Sequence, residues 1–302
     1  MAGTELLLLS HGKVKSGSGG KLKSSAKRQA QKLGAALQDR GLAPDLTLSA
    51  PGEAALVSAE KALKAGGWTA RDIRTDARLA TAAPCEAIRV LAEHPGRRLL
   101  CSGDGKALSG LIEQLAPGSP ALAPGALARL ECGDGLAPGA ARLVELVKAD
   151  ALPDGFPWPG PGGEQRRERP AYYYSQSAAL PYRLRGGEME ILLITSSSGR
   201  KWGIPKGICE PGLSPQDSAA HEALEEAGIR GRMHDASLGR YDVAKWGAVC
   251  SVEVFPMEVT GVLPRSQWDE PHRKREWLSP DAAARRVSAL GLAPIIRAFG
   301  RG

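Results

Sequence analysis

Residues 207–229 read G-I-C-E-P-G-L-S-P-Q-D-S-A-A-H-E-A-L-E-E-A-G-I, and the end of this stretch sets three glutamates, Glu222, Glu225 and Glu226, within five positions. The spacing predicts a helix from about Ser214 to Ala227. Ser214 is suited to cap it, Pro215 to the first helical position and Asp217 to the first turn, while Gly228 ends it. On a helix, residues three and four apart share a face, so the three carboxylates crowd one another and cost stability unless positive charge sits among them. They are either a solvated surface or the holders of a cation. Oxygen ligands in a tight cluster suit a hard cation, Mg²⁺ or Mn²⁺, which binds substrate phosphates as well. Gly207 lies before the helix, where a close turn can aim its carbonyl at the same face, and Lys206 adds a positive charge beside it.

These residues carry a resemblance. The box G-x5-E-x7-R-E-U-x-E-E-x-G-U, with U aliphatic, marks the Nudix hydrolases, and the chain supplies Gly207, Glu222, Glu225, Glu226, Gly228 and Ile229 at that spacing. Ala223 is a small version of the first U. Two positions depart: Leu213 stands where the first Glu belongs and His221 where the Arg belongs. Losing both an acid and a base avoids leaving one charge unpaired. A-L-P-Y-R (179–183), I-L-L-I-T (191–195), W-G-I-P-K-G (202–207) and R-E-W-L-S-P (275–280) resemble the elements flanking such boxes, so the likeness covers about residues 171–300. Leu213 in P-G-L-S-P is similar to Nudix proteins acting on diphosphoinositol and dinucleoside polyphosphates. The resemblance implies an α/β/α sandwich with a mixed sheet. It also implies Mg²⁺ (or Mn²⁺) held by Glu222, Glu225, Glu226 and the Gly207 carbonyl, with one glutamate as general base. Lys206, Arg200, Lys201 and Arg183 are the candidates for binding the substrate's outer phosphates.

Outward from the box, residues 151–170, A-L-P-D-G-F-P-W-P-G-P-G-G-E-Q-R-R-E-R-P, have the proline, glycine and charge density of a linker. With 302 residues in the chain, this divides an N-terminal domain (1–150) from a C-terminal one (171–302). In the first, Leu6–Leu9, Leu46–Leu48 and Arg98–Cys101 read as buried strands alternating with helical stretches at 26–38, 54–64, 88–93 and 108–115. That alternation predicts a mainly parallel sheet covered on both sides, a three-layer α/β/α domain. In the second, 177–184 and 190–195 read as a hairpin around Arg185–Glu188, 248–259 as a long strand and 280–286 as the start of a last helix.

The first domain also carries a resemblance. L-L-L-L-S-H-G (6–12), A-P-D-L-T-L-S-A-P (43–51), K-R-Q-A-Q-K-L-G (27–34) and L-S-G-L-I-E-Q-L (108–115) are similar to small bacterial histidine phosphatases acting on phosphohistidine. That family needs R-H-G, an Arg after S-x-P and a later G-H, which together grip the phosphoryl group. Here Ser10 replaces the first Arg, Ala54 with Glu53 beside it the second, and Gly103-Asp104 the G-H. Only His11 and Gly12 remain, a vestigial phosphatase site in a pseudophosphatase domain.

A hydrophobic content of 42% with 24% charged residues is that of a soluble globular protein. Four leucines after Glu5 are too short for a signal peptide or a membrane span, and no longer apolar run occurs, so a cytoplasmic protein with no membrane partner is expected. Five scattered cysteines without C-x-x-C spacing argue against a disulfide framework or a zinc site. The net charge of +7 equals the seven basic residues between Lys13 and Lys32, a stretch with no acid, which suits either an anionic partner or a solvated face. The expected partner is a phosphorylated small-molecule substrate. RNA ranks lower, because the sequence shows no aromatic cluster of the kind that stacks single strands. A homodimer and a non-catalytic phospholigand sensor complete the alternatives.

Overall fold

A computed structural model describes residues 3–80, 83–95, 97–133, 135–160 and 163–301. It divides into two compact units, 1–166 and 167–302. The first contains β1 (Glu5–Ser10), α1 (Ser24–Asp39), β2 (Leu46–Ser49), α2 (Glu53–Ala65), β3 (Arg74–Thr75), α3 (Pro84–Ala92), β4 (Arg98–Gly103), α4 (Gly105–Leu115), β5 (Ala126–Cys132), β6 (Ala141–Lys148), β7 (Phe156–Gly160) and β8 (Gly163–Arg167). The second contains β9 (Ser175–Arg185), β10 (Glu188–Thr195), β11 (Trp202–Gly203), β12 (Lys206–Ile208), α5 (Pro215–Ala227), β13 (Ile229–Met233), β14 (Gly239–Lys245), β15 (Ala248–Val262), β16 (Arg275–Leu278), α6 (Pro280–Arg286) and α7 (Leu292–Phe299).

In the first unit a six-stranded sheet runs β3-β2-β4-β1-β5-β6. β1 is parallel to β4 and antiparallel to β5. Its four leucines are wholly buried because both faces of the sheet are covered, which is why the strand reads as an unbroken apolar run. Leu6 and Leu8 point to the core shared with Ile88 and Leu91 of α3 and Leu108 and Leu111 of α4. Leu7 and Leu9 point to the core shared with Leu33 and Leu37 of α1 and Leu63 of α2. β5 and β6, not expected from the sequence, make the sheet mixed at one edge. β6 is only half-buried along most of its length, so the apolar signal is weak there. Within 151–170, read as linker, β7 and β8 form a two-stranded ribbon. Pro157 is tolerated because both strands of such a ribbon are edges, where proline is accommodated.

The second unit is built on a mixed eight-stranded sheet around β11-β10-β9-β15-β13. β9 and β10 form the expected hairpin, closed by Gly186 and Gly187 at φ 62° and 88°, the left-handed geometry of a two-residue turn matched to strand twist. β15 lies parallel to β9. α5 covers one face through Ala219, Ala223 and Ala227, packed on Ala179, Leu192, Ile194 and Phe255. Small side chains bring this helix close to the sheet. α6 and α7 cover the other face through Ala283, Ala284, Leu292 and Ile296. No helix of the described residues is long and apolar enough to cross a membrane.

Candidate active site

α5 begins as its sequence dictates: the Ser214 hydroxyl accepts a hydrogen bond from the Asp217 N–H at 3.0 Å, satisfying one free donor of the first turn. It ends at Gly228, whose φ of 58° and ψ of 40° are left-handed. A Cβ there would lie 2.7 Å from the Trp268 ring. Trp268 donates its indole N–H to the Glu225 carbonyl at 3.0 Å. The Arg275 guanidinium stacks 4.3 Å over Trp268 and donates to the Ala227 carbonyl at 3.0 Å. A cation thus sits at the negative end of the helix.

The buried alanines turn the glutamates toward the N-terminal side of β12. Gly207 pairs with Ser177 of β9, and a Cβ on Gly207 would lie 1.7 Å from Glu222 Oε1. Only glycine leaves room for that carboxylate. Burial, and then the charges of Glu226 and Glu225, push the Glu222 carboxyl up to about 7. Glu226 accepts the Lys206 backbone N–H at 3.0 Å and the Arg273 guanidinium at 2.5 Å. Burial nevertheless raises its pKa, against those two favourable partners. Glu225 lies further out, its Oε2 3.5 Å from His221 Nδ1. Lys206 has its pKa lowered, first by burial and then by the charge of Lys245, and its Nζ donates to Gln176 at 3.2 Å.

Beside this face opens a cavity of about 550 Å³, lined by Glu226 together with Lys201, Lys206, Lys245 and Arg273. Trp202 and Tyr241 supply aromatic walls. Of the four basic residues expected from the sequence, Lys201 and Lys206 line the cavity. Arg200 is exposed outside its lining. Arg183 is engaged elsewhere, paired with Glu190 at 2.6 Å and stacked 4.0 Å over Trp277. Lys245 and Arg273 are the residues missed, since only folding brings them to the box. Arg273 is 8% exposed. Besides Glu226 it bonds Glu270 and the Thr195 carbonyl, the latter at 3.0 Å, and it brings a positive charge into the carboxylate cluster from outside the box. Also missed is an aromatic cluster: Tyr173 and Tyr174 meet Trp246 edge-on at 5.2 and 6.3 Å, with Lys245 4.1 Å over the Trp246 ring. Trp246 is 72 residues from Tyr174, so no local pattern announces the contact.

Among the described residues, no three His, Cys, Asp or Glu side chains stand together as a ready metal cage. The donor chemistry still fits a hard divalent cation. The candidates are all oxygens, and the crowding that raises Glu222 is what such a charge would relieve. The Ser218 hydroxyl, one turn before Glu222 on the same face, is buried without a hydrogen-bond partner.

In the first unit, the residues expected to be vestigial lie at the C-terminal end of β1. His11 Nδ1 is 3.0 Å from the Gly12 carbonyl, and Nε2 is 3.7 Å from Asp104 Oδ2. Asp104 caps α4, accepting the Lys106 N–H at 2.8 Å. The Ser10 hydroxyl donates to the Ala123 carbonyl at 2.5 Å. Ala54 is buried against Leu22 and Ala26.

The second unit is thus an α/β/α sandwich that sets a carboxylate-bearing helix beside a cationic cavity. A family model of the NUDIX domain matches residues 175–299. Nudix hydrolase 18, mitochondrial, of Arabidopsis thaliana is 35% identical over 114 residues, covering 34% of this chain and 63% of the relative. Diphosphoinositol polyphosphate phosphohydrolase 3-beta of Bos taurus is 30% identical over 124 residues, covering 40% of this chain and 73% of the relative. The chain thus spans less than two thirds of the length of the first relative and more than two thirds of the second. Among solved structures, a C. elegans Ap4A hydrolase complex is 21% identical with a TM-score of 0.38, covering 42% of this chain and 96% of that one. SixA from Agrobacterium tumefaciens is 17% identical with a TM-score of 0.40, covering 47% and 96%. The chain belongs to the Nudix hydrolase family, through its second unit.

Proposed function

We propose that the second unit hydrolyses a diphosphate linkage in a nucleoside, dinucleoside or inositol polyphosphate, with Glu222, Glu225, Glu226 and the Gly207 carbonyl holding Mg²⁺ or Mn²⁺. The observation that carries this reading is that Glu226 belongs to both features: it stands on the acidic face of α5 and lines the cavity of Lys201, Lys206, Lys245 and Arg273. A phosphate chain held by those cations lies against the carboxylates. A bound divalent ion supplies charge neutralisation and a water of lowered pKa. The chain's own residues do the rest. The cavity's cations bind and orient the phosphates, and one of the glutamates takes the proton of the attacking water. The 30% identity to a protein named as a diphosphoinositol polyphosphate phosphohydrolase supports this substrate class. We assign the first unit as a degenerate histidine phosphatase, on Ser10, Ala54 and Asp104 standing where the family's phosphate-gripping residues belong, in a recruiting, regulatory or dimerising role.

One observation favours a second reading, hydrolysis of the diphosphate linkage at an RNA 5′ end: the partly exposed rings of Tyr173 and Trp246, beside Lys245, are of the kind that stack bases. A panel of dinucleoside polyphosphates, nucleoside di- and triphosphates, diphosphoinositol polyphosphates and 5′-triphosphorylated RNA, incubated with Mg²⁺ and resolved by ion exchange, decides between them. Turnover of the small molecules supports the first reading and preferential turnover of RNA the second. Binding without turnover across the panel refutes both and leaves a phospholigand sensor, the role that Leu213 and His221 would then explain.

A further inference from the structure

Between β1 and α1 the chain forms a short ribbon. Val14 pairs with Leu22 in an antiparallel bridge. The Lys15 N–H donates to the Lys21 carbonyl at 2.8 Å and the Lys23 N–H to the Lys13 carbonyl at 3.0 Å. This register sets Lys13 opposite Lys23 and Lys15 opposite Lys21. Side chains alternate between faces along a strand, so all four lysines share the face opposite Val14 and Leu22. Opposed Cα atoms lie about 5.5 Å apart and same-face neighbours about 7 Å apart. Four ammonium-bearing stems therefore rise from one small patch.

Like charges directly opposite one another destabilise a pair of strands. Among the described residues none of the four is ion-paired, whereas Lys32, further along the same basic segment, reaches Asp154 at 3.6 Å. The ribbon is held in place from its other face: Leu22 is 3% exposed, packed on Ala26 and Ala54. The repelling face is thus fixed by apolar packing beneath it. It stands at the C-terminal end of β1, where open α/β sheets bind ligands.

We propose that this face is a binding site for a compact, densely phosphorylated anion, either a short phosphate chain or a polyphosphorylated ring. Four cations on so small a footprint match several phosphates carried on one small molecule. A nucleic-acid strand is disfavoured, because residues 13–23 contain no aromatic side chain to stack a base. The site goes beyond the hydrolytic reading and does not depend on it, since it needs neither metal nor turnover.

The test is calorimetric binding of tripolyphosphate and of myo-inositol hexakisphosphate to the full chain in EDTA, which silences metal-dependent turnover. Hydrogen exchange follows residues 13–23. In a Lys201→Gln/Lys245→Gln background, which weakens the other unit's cavity, replacing all four ribbon lysines by Gln is expected to weaken binding at least tenfold, to flatten its salt dependence and to abolish protection of the ribbon. Lys245→Gln, in the other unit's cavity, leaves that protection in place, and the four-Arg variant retains binding. The four-Gln variant melts no lower than the wild type, because repulsion has been removed. Tighter binding of the chain or of the ring identifies the source, and either supports the site. Undiminished binding by the four-Gln variant in that background overturns it. So does a ten-nucleotide single-stranded RNA that depends on the same lysines and binds more tightly than both phosphate compounds.

Discussion

Raising the pH of the metal-free protein should cost it stability through Glu222. Its carboxyl titrates at about 7 in the fold, against an ordinary value of 4.5. The fold therefore favours the protonated form. The contribution is fully present below about pH 4.5 and is lost as the pH rises through 7. Each pH unit between the two values is worth about 1.4 kcal/mol, an upper limit near 3.5 kcal/mol. Partial exposure of the side chain screens this to about 1–2 kcal/mol. For a unit of this size that is a fall in Tm of roughly 5 °C between pH 5 and pH 8 beyond the change seen in Glu222→Gln. The assay is thermal unfolding of both proteins in EDTA at the two pH values, repeated with Mg²⁺. The ion should restore the wild type at pH 8 and do much less for Glu222→Gln. Identical pH responses in the two proteins, or no effect of Mg²⁺ on the wild type at pH 8, would show that Glu222 does not carry the effect.

Gly207→Ala should leave the fold intact yet lower kcat/KM by about 10²-fold, since the new Cβ meets only the movable end of Glu222 and displaces it; circular dichroism with steady-state kinetics separates the two effects. Arg273→Met strands Glu226 and Glu270 without their shared cation and should cost about 3 kcal/mol in urea unfolding, part of it regained in Arg273→Met/Glu226→Gln. Gly228→Ala forces a left-handed alanine against Trp268 and should destabilise by about 2–4 kcal/mol, read from the same unfolding curves.

The parts legible in the sequence are those where local chemistry decides the outcome. The four leucines of β1 reveal a strand buried on both faces, and Ser214, Pro215 and Gly228 delimit α5 to within a residue of its ends. The glutamates and Gly207 are legible because their spacing is fixed by one strand, one turn and one helix. What escapes is assembled over distance. Arg273 reaches Glu226 across 47 residues, and Lys245 enters the cavity from the far end of β14. β6 carries too mixed a pattern to read as a strand. The opposed lysines of the ribbon are visible as a basic segment, but their common face exists only once Val14 and Leu22 are paired.

On the proposed function, the chain's chemistry resides on α5 and not at His11. Its most direct test is kcat/KM for the preferred diphosphate substrate in Glu222→Gln, Glu225→Gln and Glu226→Gln beside His11→Ala, all in saturating Mg²⁺. Losses of about 10³-fold or more are expected in the glutamate variants, with wild-type turnover in His11→Ala. Full activity in the glutamate variants, or its loss with His11, would contradict it.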